Sequence, residues 1–269
     1  SSPNSRQTET SGNGLPIGWR AGPATRPHFS PFALVLGSVR DRRVSGIKAV
    51  ARVAGLCATA SSNSSRVALA MFKVRKAESG DVDRAIAALG DAFAQDPLML
   101  YLFHESPEGA RAGAMGFFSM LLRARIALDM PAYVLTQGDD VLGAVMGYDT
   151  SRPEWPAALA DEMRRFEAEV PGFAARLDAY AKICEAHQPG EDHYYLGVIG
   201  VHSSLQGNGA GKAMLDAFCA PSRADPKSHG VYLETASPGS LQFYYKNGFE
   251  LRGEGRLDAA TVWCVYKRT

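Results

Sequence analysis

Val201-His-Ser-Ser-Leu-Gln206-Gly-Asn-Gly209-Ala-Gly211-Lys212-Ala-Met-Leu215 is the stretch whose reading decides the fold. It follows an apolar run of strand character, Tyr194 to Val201, and opens an apolar helical stretch from about Gly209 to Ala220. Glycines let the backbone turn tightly and approach a ligand closely. The helix start beyond them offers unbonded N–H groups and the positive end of a dipole. Together these suit a phosphate or pyrophosphate, with Lys212 adding a cation. Two common phosphate loops fit poorly. A Walker A loop needs Gly where Gln206 stands and Ser or Thr where Ala213 stands. A dinucleotide fingerprint, G-x-G-x-x-G, belongs to the first strand–helix unit of its fold. Here Gly207, Gly209 and Gly211 fall late in the chain at another spacing. A glycine-rich turn without a ligand is the plain alternative.

Working outward, the flanking sequence alternates strand and helix signals. Phe72 to Lys76 alternates and predicts an opening strand. Asp81 caps a predicted helix through Gln95, broken by Asp96-Pro97. Ser106-Pro107-Glu108 predicts the start of a second helix, to about Leu128. Residues 133–136 and 141–148 predict a hairpin around Gly138-Asp139-Asp140. Residues 153–187 predict one or two helices broken near Pro171-Gly172. After the glycine turn come a strand over 231–235, a helix over 240–247 and strands over 249–252 and 261–267. This order predicts a mixed α/β sheet with helices around it.

Composition bounds the function. The chain has 269 residues, 46% hydrophobic and 21% charged, ample for a buried core. No apolar run reaches 18 residues, which argues against a membrane-spanning helix. Cysteines at 57, 184, 219 and 264 form no CxxC pair, so neither a zinc site nor a disulfide scaffold is signalled. A reducing, cytoplasmic setting is the expectation.

The net charge of +1 hides an asymmetry. Residues 1–70 carry nine Lys/Arg, eleven Ser and only two acids, Glu9 and Asp41, leaving 20 bases against 26 acids beyond. The segment reads as a non-native leader before Met71, an organelle transit peptide, or a basic nucleic-acid arm. The scattered bases disfavour the arm. A short helix within 46–60 is conceivable. The folded domain is expected over 71–269.

Gln206-Gly-Asn-Gly209-Ala-Gly211 resembles the Q/R-x-x-G-x-G/A signature of the GNAT (GCN5-related) N-acetyltransferases. Phe243-Tyr244-Tyr-Lys-Asn-Gly248-Phe249, downstream, resembles that family's FY-x-x-x-GF motif. Two motifs in the right order are more specific than either alone. His193-Tyr-Tyr195-Leu-Gly-Val-Ile-Gly-Val201, Leu233-Glu234-Thr235 and Trp263-Cys264 resemble the puromycin N-acetyltransferase-like branch.

The resemblance implies a GNAT fold, a mostly antiparallel sheet of 6–7 strands splayed at the cofactor site. It implies acetyl-CoA as acyl donor and no metal. Gln206, Gly207, Asn208, Gly209, Ala210, Gly211 and Lys212 would bind the pyrophosphate. Ile199, Gly200 and Val201 would pair with the pantetheine arm like an added strand. A backbone N–H near Ile199 or Gly200 would meet the thioester carbonyl and stabilise the tetrahedral oxyanion. Ser240 falls where many relatives carry Asn for the pantetheine arm, and its shorter hydroxyl puts that contact in question.

Acetyl transfer needs a neutral amine and a protonated leaving thiol. A thiol titrates near ~8.5 and a phenol near ~10, so a neutral tyrosine can supply the proton. Tyr244 occupies the family's general-acid position; its neighbour Tyr245 is expected to pack. Glu234 is the first choice of base, directly or through water. His193 is the second. Glu191 and Asp192 could orient a cationic substrate, and His104 and Glu105 could reach the acceptor. Cys219 and Cys264 would serve a ping-pong route only as thiolates; packing is the expected role.

The reading is a direct N-acetyltransferase acting on the primary amine of a small molecule, antibiotic-like or aminonucleoside-like by branch resemblance. The 153–187 segment would cap the acceptor. The alternatives are a protein lysine or N-terminal acetyltransferase, a silent acyl-CoA-binding sensor, and a nucleotide-binding module. A homodimer is a family-level expectation; nucleic acid and membrane are not expected partners.

Overall fold

The structure is a computed structural model describing residues 72–269. The 1–70 segment, its possible helix over 46–60 and Cys57 lie outside the described residues. Seven strands form one sheet: β1 (Lys73–Lys76), β2 (Ala132–Gln137), β3 (Asp140–Tyr148), β4 (Tyr194–Val201), β5 (Gly230–Thr235), β6 (Glu250–Leu257) and β7 (Ala260–Arg268). Their order is β1-β2-β3-β4-β5-β7-β6. Every neighbouring pair is antiparallel except β4 and β5. This is the mixed α/β GNAT fold, with a mostly antiparallel seven-stranded sheet flanked by helices.

Each face of the sheet carries its own core. Five helices cover one face: α1 (Val82–Ala92), α2 (Pro97–Phe103), α3 (Ala110–Ala127), α4 (Ala157–Glu169) and α5 (Phe173–His187). Two cover the other: α6 (Ala210–Ala224) and α7 (Pro238–Lys246). β3, β4 and β5 lie between them and are almost wholly buried. That explains their continuous apolar runs. The 138–139 turn closes the hairpin, pairing Gln137 with Asp140, and uses Gly138 at φ 59°.

Three expectations need correction. Asp96-Pro97 does not merely end a helix. Asp96 caps a new one, its Oδ1 accepting from the Leu98 and Met99 amides at 3.0 and 3.1 Å, with Pro97 in the first turn. α3 starts at Ala110, not Ser106, because Gly109 takes φ 88° and the chain turns at Ser106–Gly109 first. α6 runs past Pro221 to Ala224, since Pro221 loses its own N–H but its carbonyl still accepts from Asp225. The break between α4 and α5 falls at Pro171-Gly172, with Gly172 at φ 68°.

The feature that positions the site is the β4–β5 seam. The two strands pair only at Tyr194–Val231 and Tyr195–Tyr232. From Leu196 to Val201 the β5-facing edge of β4 has no strand partner. The register with β3 shifts at the same level. Met146 opposes Val198 and Gly147 opposes Leu196, so Gly197 is the extra residue of a bulge. A bulge bends its strand and re-aims it, and here β4 leaves β5. Gly147 has no alternative, because a Cβ there would sit 1.9 Å from the Tyr195 carbonyl oxygen.

Candidate active site

Two elements that follow the opened seam, β5 and α7, each carry a fully buried residue with a polar atom that has no hydrogen-bond partner, Glu234 and Tyr244. Tyr244, on α7, is fully buried in the α6–α7 core, its ring against Phe243 and Phe249 at centroid separations of 5.5 and 5.3 Å. Its hydroxyl has no hydrogen-bond partner. Burial, followed by nearby Cys219, Asp96 and Glu234, holds the phenol well above its ordinary pKa. It is therefore a neutral donor across the working pH range. α7 is fixed by Ser237, whose hydroxyl caps the Ser240 amide, and by Pro238 in the first turn. Ser240 is fully buried and its Oγ is also without a partner.

Glu234 comes from the other face. It sits on β5 opposite Cys264 of β7 and is completely buried. Its Oε2 accepts from the hydroxyls of Tyr195 at 3.1 Å and Tyr180 at 3.3 Å. Its Oε1 has no partner. Loss of solvation pushes the carboxyl up to about 7, although the surrounding hydroxyls and the Cys184 thiol favour its charged form. A carboxyl there exchanges protons near neutrality, as a general base must.

Asp96 is the functional candidate that sequence reasoning missed. It is 1% exposed, and its Oδ2 is unpartnered while Oδ1 caps α2. Burial pushes it up to about 7. Three residues upstream, the ring of Phe93 lies against Gly200, where a Cβ would come within 3.0 Å of it. The C-terminal end of α1 and the residue after it, Leu89, Ala92 and Phe93, thus pack on the open half of β4. Its sequence signal, Asp before Pro, is that of a cap or a stop and does not speak of chemistry.

The expected donor-binding residues lie along one path. Ile199, Gly200 and Val201 occupy the unpaired half of β4. Ser203–Leu205 then forms a 3₁₀ turn tied to α1, where the Asp91 carboxylate accepts from the Ser203 amide at 2.7 Å. Gly207 and Gly209 take φ 82° and 83°, the left-handed region that glycine adopts without strain. Gly209 is the N-cap of α6 and supplies no side-chain cap, so its first-turn amides face outward with nothing local to satisfy them. Gln206 is half-buried, Asn208 is exposed and Ala210 is buried at the helix start. Lys212 is ion-paired with Asp216 one turn along α6. An exposed pair of this kind is weak enough to exchange for a phosphate.

The structure does not bring every expected residue to the seam. His193 lies at its sealed end, one residue before the Tyr194–Val231 pair. Its Nδ1 lies 2.7 Å from the Glu191 carbonyl oxygen, and burial lowers its pKa. Glu191 lies 3.8 Å from Arg268, and the Asp192 carbonyl accepts from the His229 amide, both at that same end. His104 and Glu105 are exposed at the end of α2, and Glu105 is paired with Arg176 of α5 at 2.6 Å. Tyr245, expected to pack, is 38% exposed, because a helix turns adjacent residues to different faces. Cys219 and Cys264 are buried and pushed up to about 11 and about 12, so neither is a ready thiolate.

The segment between β3 and β4 packs on the face that carries Glu234, and Tyr180 of α5 reaches that carboxylate. Phe166 of α4 and Phe173 of α5 cluster with Phe103 and Phe117, with centroids 5.0–6.3 Å apart. Trp155 Nε1 donates to the Tyr148 hydroxyl at 2.8 Å, and the buried Arg125 guanidinium stacks on that tyrosine at 3.9 Å.

Residues 128–249 match the Acetyltransferase (GNAT) family. Over that segment the chain is similar to GNAT-family acetyltransferases. Solved structures share the architecture. A Corynebacterium glutamicum structure described as histone acetyltransferase HPA2 and related acetyltransferase superposes with TM-score 0.54 at 22% identity. That match covers 73% of this chain and 96% of the other. Drosophila melanogaster polyamine N-acetyltransferase, described as forming N-acetylagmatine, superposes with TM-score 0.52 at 18% identity, covering 74% and 100%. A variant of agmatine N-acetyltransferase in its apo form gives 0.52 at 15% identity, with the same coverages. Among the described residues no helix is long and apolar enough to cross a membrane, and no cluster of His, Cys, Asp and Glu has metal-site geometry.

Proposed function

We propose that the chain transfers acetyl from acetyl-CoA directly to the primary amine of a small molecule. The observation that carries this reading is that two fully buried groups on opposite faces of the sheet, the Tyr244 hydroxyl and Glu234 Oε1, are left without partners on elements next to an unpaired strand edge. Buried polar atoms are normally satisfied, so a pair left open at one seam fits a site built for a ligand. The residues present suit the donor. The unpaired β4 edge would take the pantetheine arm, the Ser240 hydroxyl would contact it, and the outward amides of Gly207–Lys212 would hold the pyrophosphate. When bound, the donor supplies an activated acetyl group on a thiol leaving group.

Glu234 takes a proton from the incoming ammonium. The β4 amides near Ile199 and Gly200 stabilise the oxyanion, and Tyr244 donates to the departing sulfur. The His193–Val201 resemblance favours a compact, aminonucleoside-like acceptor over a protein chain. Among the described residues the three thiols, Cys184, Cys219 and Cys264, are buried and held above their ordinary pKa, which supports direct transfer.

Calorimetric titration of the chain with acetyl-CoA, with ATP and NAD as controls, tests the donor. Thiol release over a panel of primary amines tests the reaction. Saturable acetyl-CoA binding and amine-dependent release are expected. Binding without turnover on any amine would leave an acyl-CoA sensor, and binding of ATP or NAD instead would leave a nucleotide module.

A further inference from the structure

A buried cation on the Glu234 face has no part in the steps above. Arg125, in the last turn of α3, is 1% exposed, and its Nε and Nη1 have no hydrogen-bond partner. Its guanidinium carbon lies 3.9 Å from the centre of the Tyr148 ring and 5.5 Å from that of Trp155. A second guanidinium shares that tyrosine. Arg152 lies 5.3 Å from the Tyr148 ring and 5.9 Å from the Tyr195 ring. Among the described residues neither arginine forms an ion pair. Arg152 donates to main-chain carbonyls, those of Asp149, Ser151 and His193. The Asp149 carboxylate turns elsewhere, its Oδ1 accepting from the Ser151 amide and hydroxyl at 2.6 Å each.

A buried charge that has lost its hydration is destabilising unless a partner completes it. Burial lowers the pKa of both guanidiniums, yet arginine stays protonated throughout the working range. Stacking on Tyr148 and Trp155 offsets part of the cost through the ring faces and leaves the in-plane N–H groups open. The complement of in-plane guanidinium donors is a planar anion, a carboxylate. Two guanidiniums around one ring also repel any further cation.

The sheet ties this pair to the proposed base. Tyr148 and Tyr195 stand directly opposite each other on β3 and β4. Tyr195 has its ring beside Arg152 and donates its hydroxyl to Glu234 at 3.1 Å. One tyrosine therefore separates the cations from the carboxyl that would take the ammonium proton. Resting on the acetyltransferase reading above, we propose that Arg125, seconded by Arg152, is a carboxylate-binding subsite for the acceptor. The acceptor is then a zwitterion, its ammonium at Glu234 and its carboxylate on the guanidinium, with a few bonds between them. An uncharged aminonucleoside leaves the cation unanswered, and a polyamine sets a second positive charge against it.

The test uses the full chain, acetyl-CoA and acceptor pairs that differ only in a carboxylate: 4-aminobutyrate and propylamine, 6-aminohexanoate and pentylamine, tyrosine and tyramine. Thiol release gives kcat and KM, and calorimetry gives the affinity for each acid without turnover. At least one acid should exceed its amine in kcat/KM by about 10–100-fold, the range of a hydrogen bond to a charged group. Arg125→Met, which keeps apolar bulk beside Tyr148, should erase that ratio mainly through KM, and Arg125→Lys should keep part of it. A purely structural stack predicts instead a lower melting temperature for the Met variant and the wild-type ratio. Equal use of acid and amine by the wild type, or a ratio untouched by Arg125→Met, overturns the subsite and leaves the transferase reading standing. Arg125-dependent binding of an acid without turnover of any acceptor keeps the carboxylate site and sinks the transferase reading. Neither binding nor turnover sinks both. If the Met variant fails to fold, Arg125→Lys decides: a wild-type ratio there overturns the subsite.

Discussion

Tyr244→Phe removes one atom from the centre of the site and should move stability and activity in opposite directions. The hydroxyl is fully buried and unpartnered in the ligand-free fold. A buried polar group without a partner costs ~1–3 kcal/mol. The ring, with its contacts to Phe243 and Phe249, stays in the variant. Deleting the oxygen should therefore stabilise the ligand-free protein by about 1 kcal/mol, after some relaxation around the site. For a domain of this size that raises the melting temperature by about 2–4 °C. Turnover should fall ~100-fold or more, because the thiolate would leave without its proton. Acetyl-CoA affinity should change little if the hydroxyl serves the departing sulfur. Differential scanning calorimetry and thiol-release kinetics on one preparation give both numbers. A variant that melts lower yet turns over normally would make the hydroxyl structural and refute the reasoning.

Four further outcomes follow from the same geometry. Glu234 and Asp96 ordinarily titrate near 4 but are pushed up to about 7, so the folded state binds their protons more tightly than the unfolded chain. The ligand-free protein should be most stable below about pH 4.5 as far as these groups decide it, and lose stability as pH rises toward about 7; Glu234→Gln should flatten that decline in thermal scans. Gly209→Ala forces a side chain into the left-handed region and should cost ~1–2 kcal/mol and weaken acetyl-CoA binding in calorimetry. Gly211→Ala, a helical position with nothing within 3.9 Å, should stabilise by ~0.5–1 kcal/mol and leave binding intact. Mass spectrometry of protein mixed with acetyl-CoA and no amine should find no acetyl thioester on Cys184, Cys219 or Cys264; a stable adduct would replace direct transfer with a ping-pong route.

Much of this architecture could be read in the sequence because the signals were local. The glycine turn, the 138–139 hairpin and the Pro171-Gly172 break each follow from the conformations those residues prefer. Tyr244 could be singled out because its motif spans one helix and one turn. The rest depends on which strands pair, and how far. Gly197 is one glycine among many until the β3 register makes it the extra residue. His193 and Glu234 both border the β4–β5 pair, and only the extent of that pairing separates the sealed end from the open one. Asp96 read as a helix stop because Asp before Pro is a capping signal, and burial of its second oxygen is a tertiary fact.

The bulge at Gly197 has a consequence for how such an enzyme can diverge. On the function proposed here, donor recognition would rest on a bent strand edge and on left-handed glycines, all main-chain features that side-chain drift scarcely touches. On the same reading the acceptor side would come from α4 and α5, a contiguous segment between β3 and β4. New substrates can thus be tried by exchanging one stretch of chain while the thioester slot is inherited unchanged.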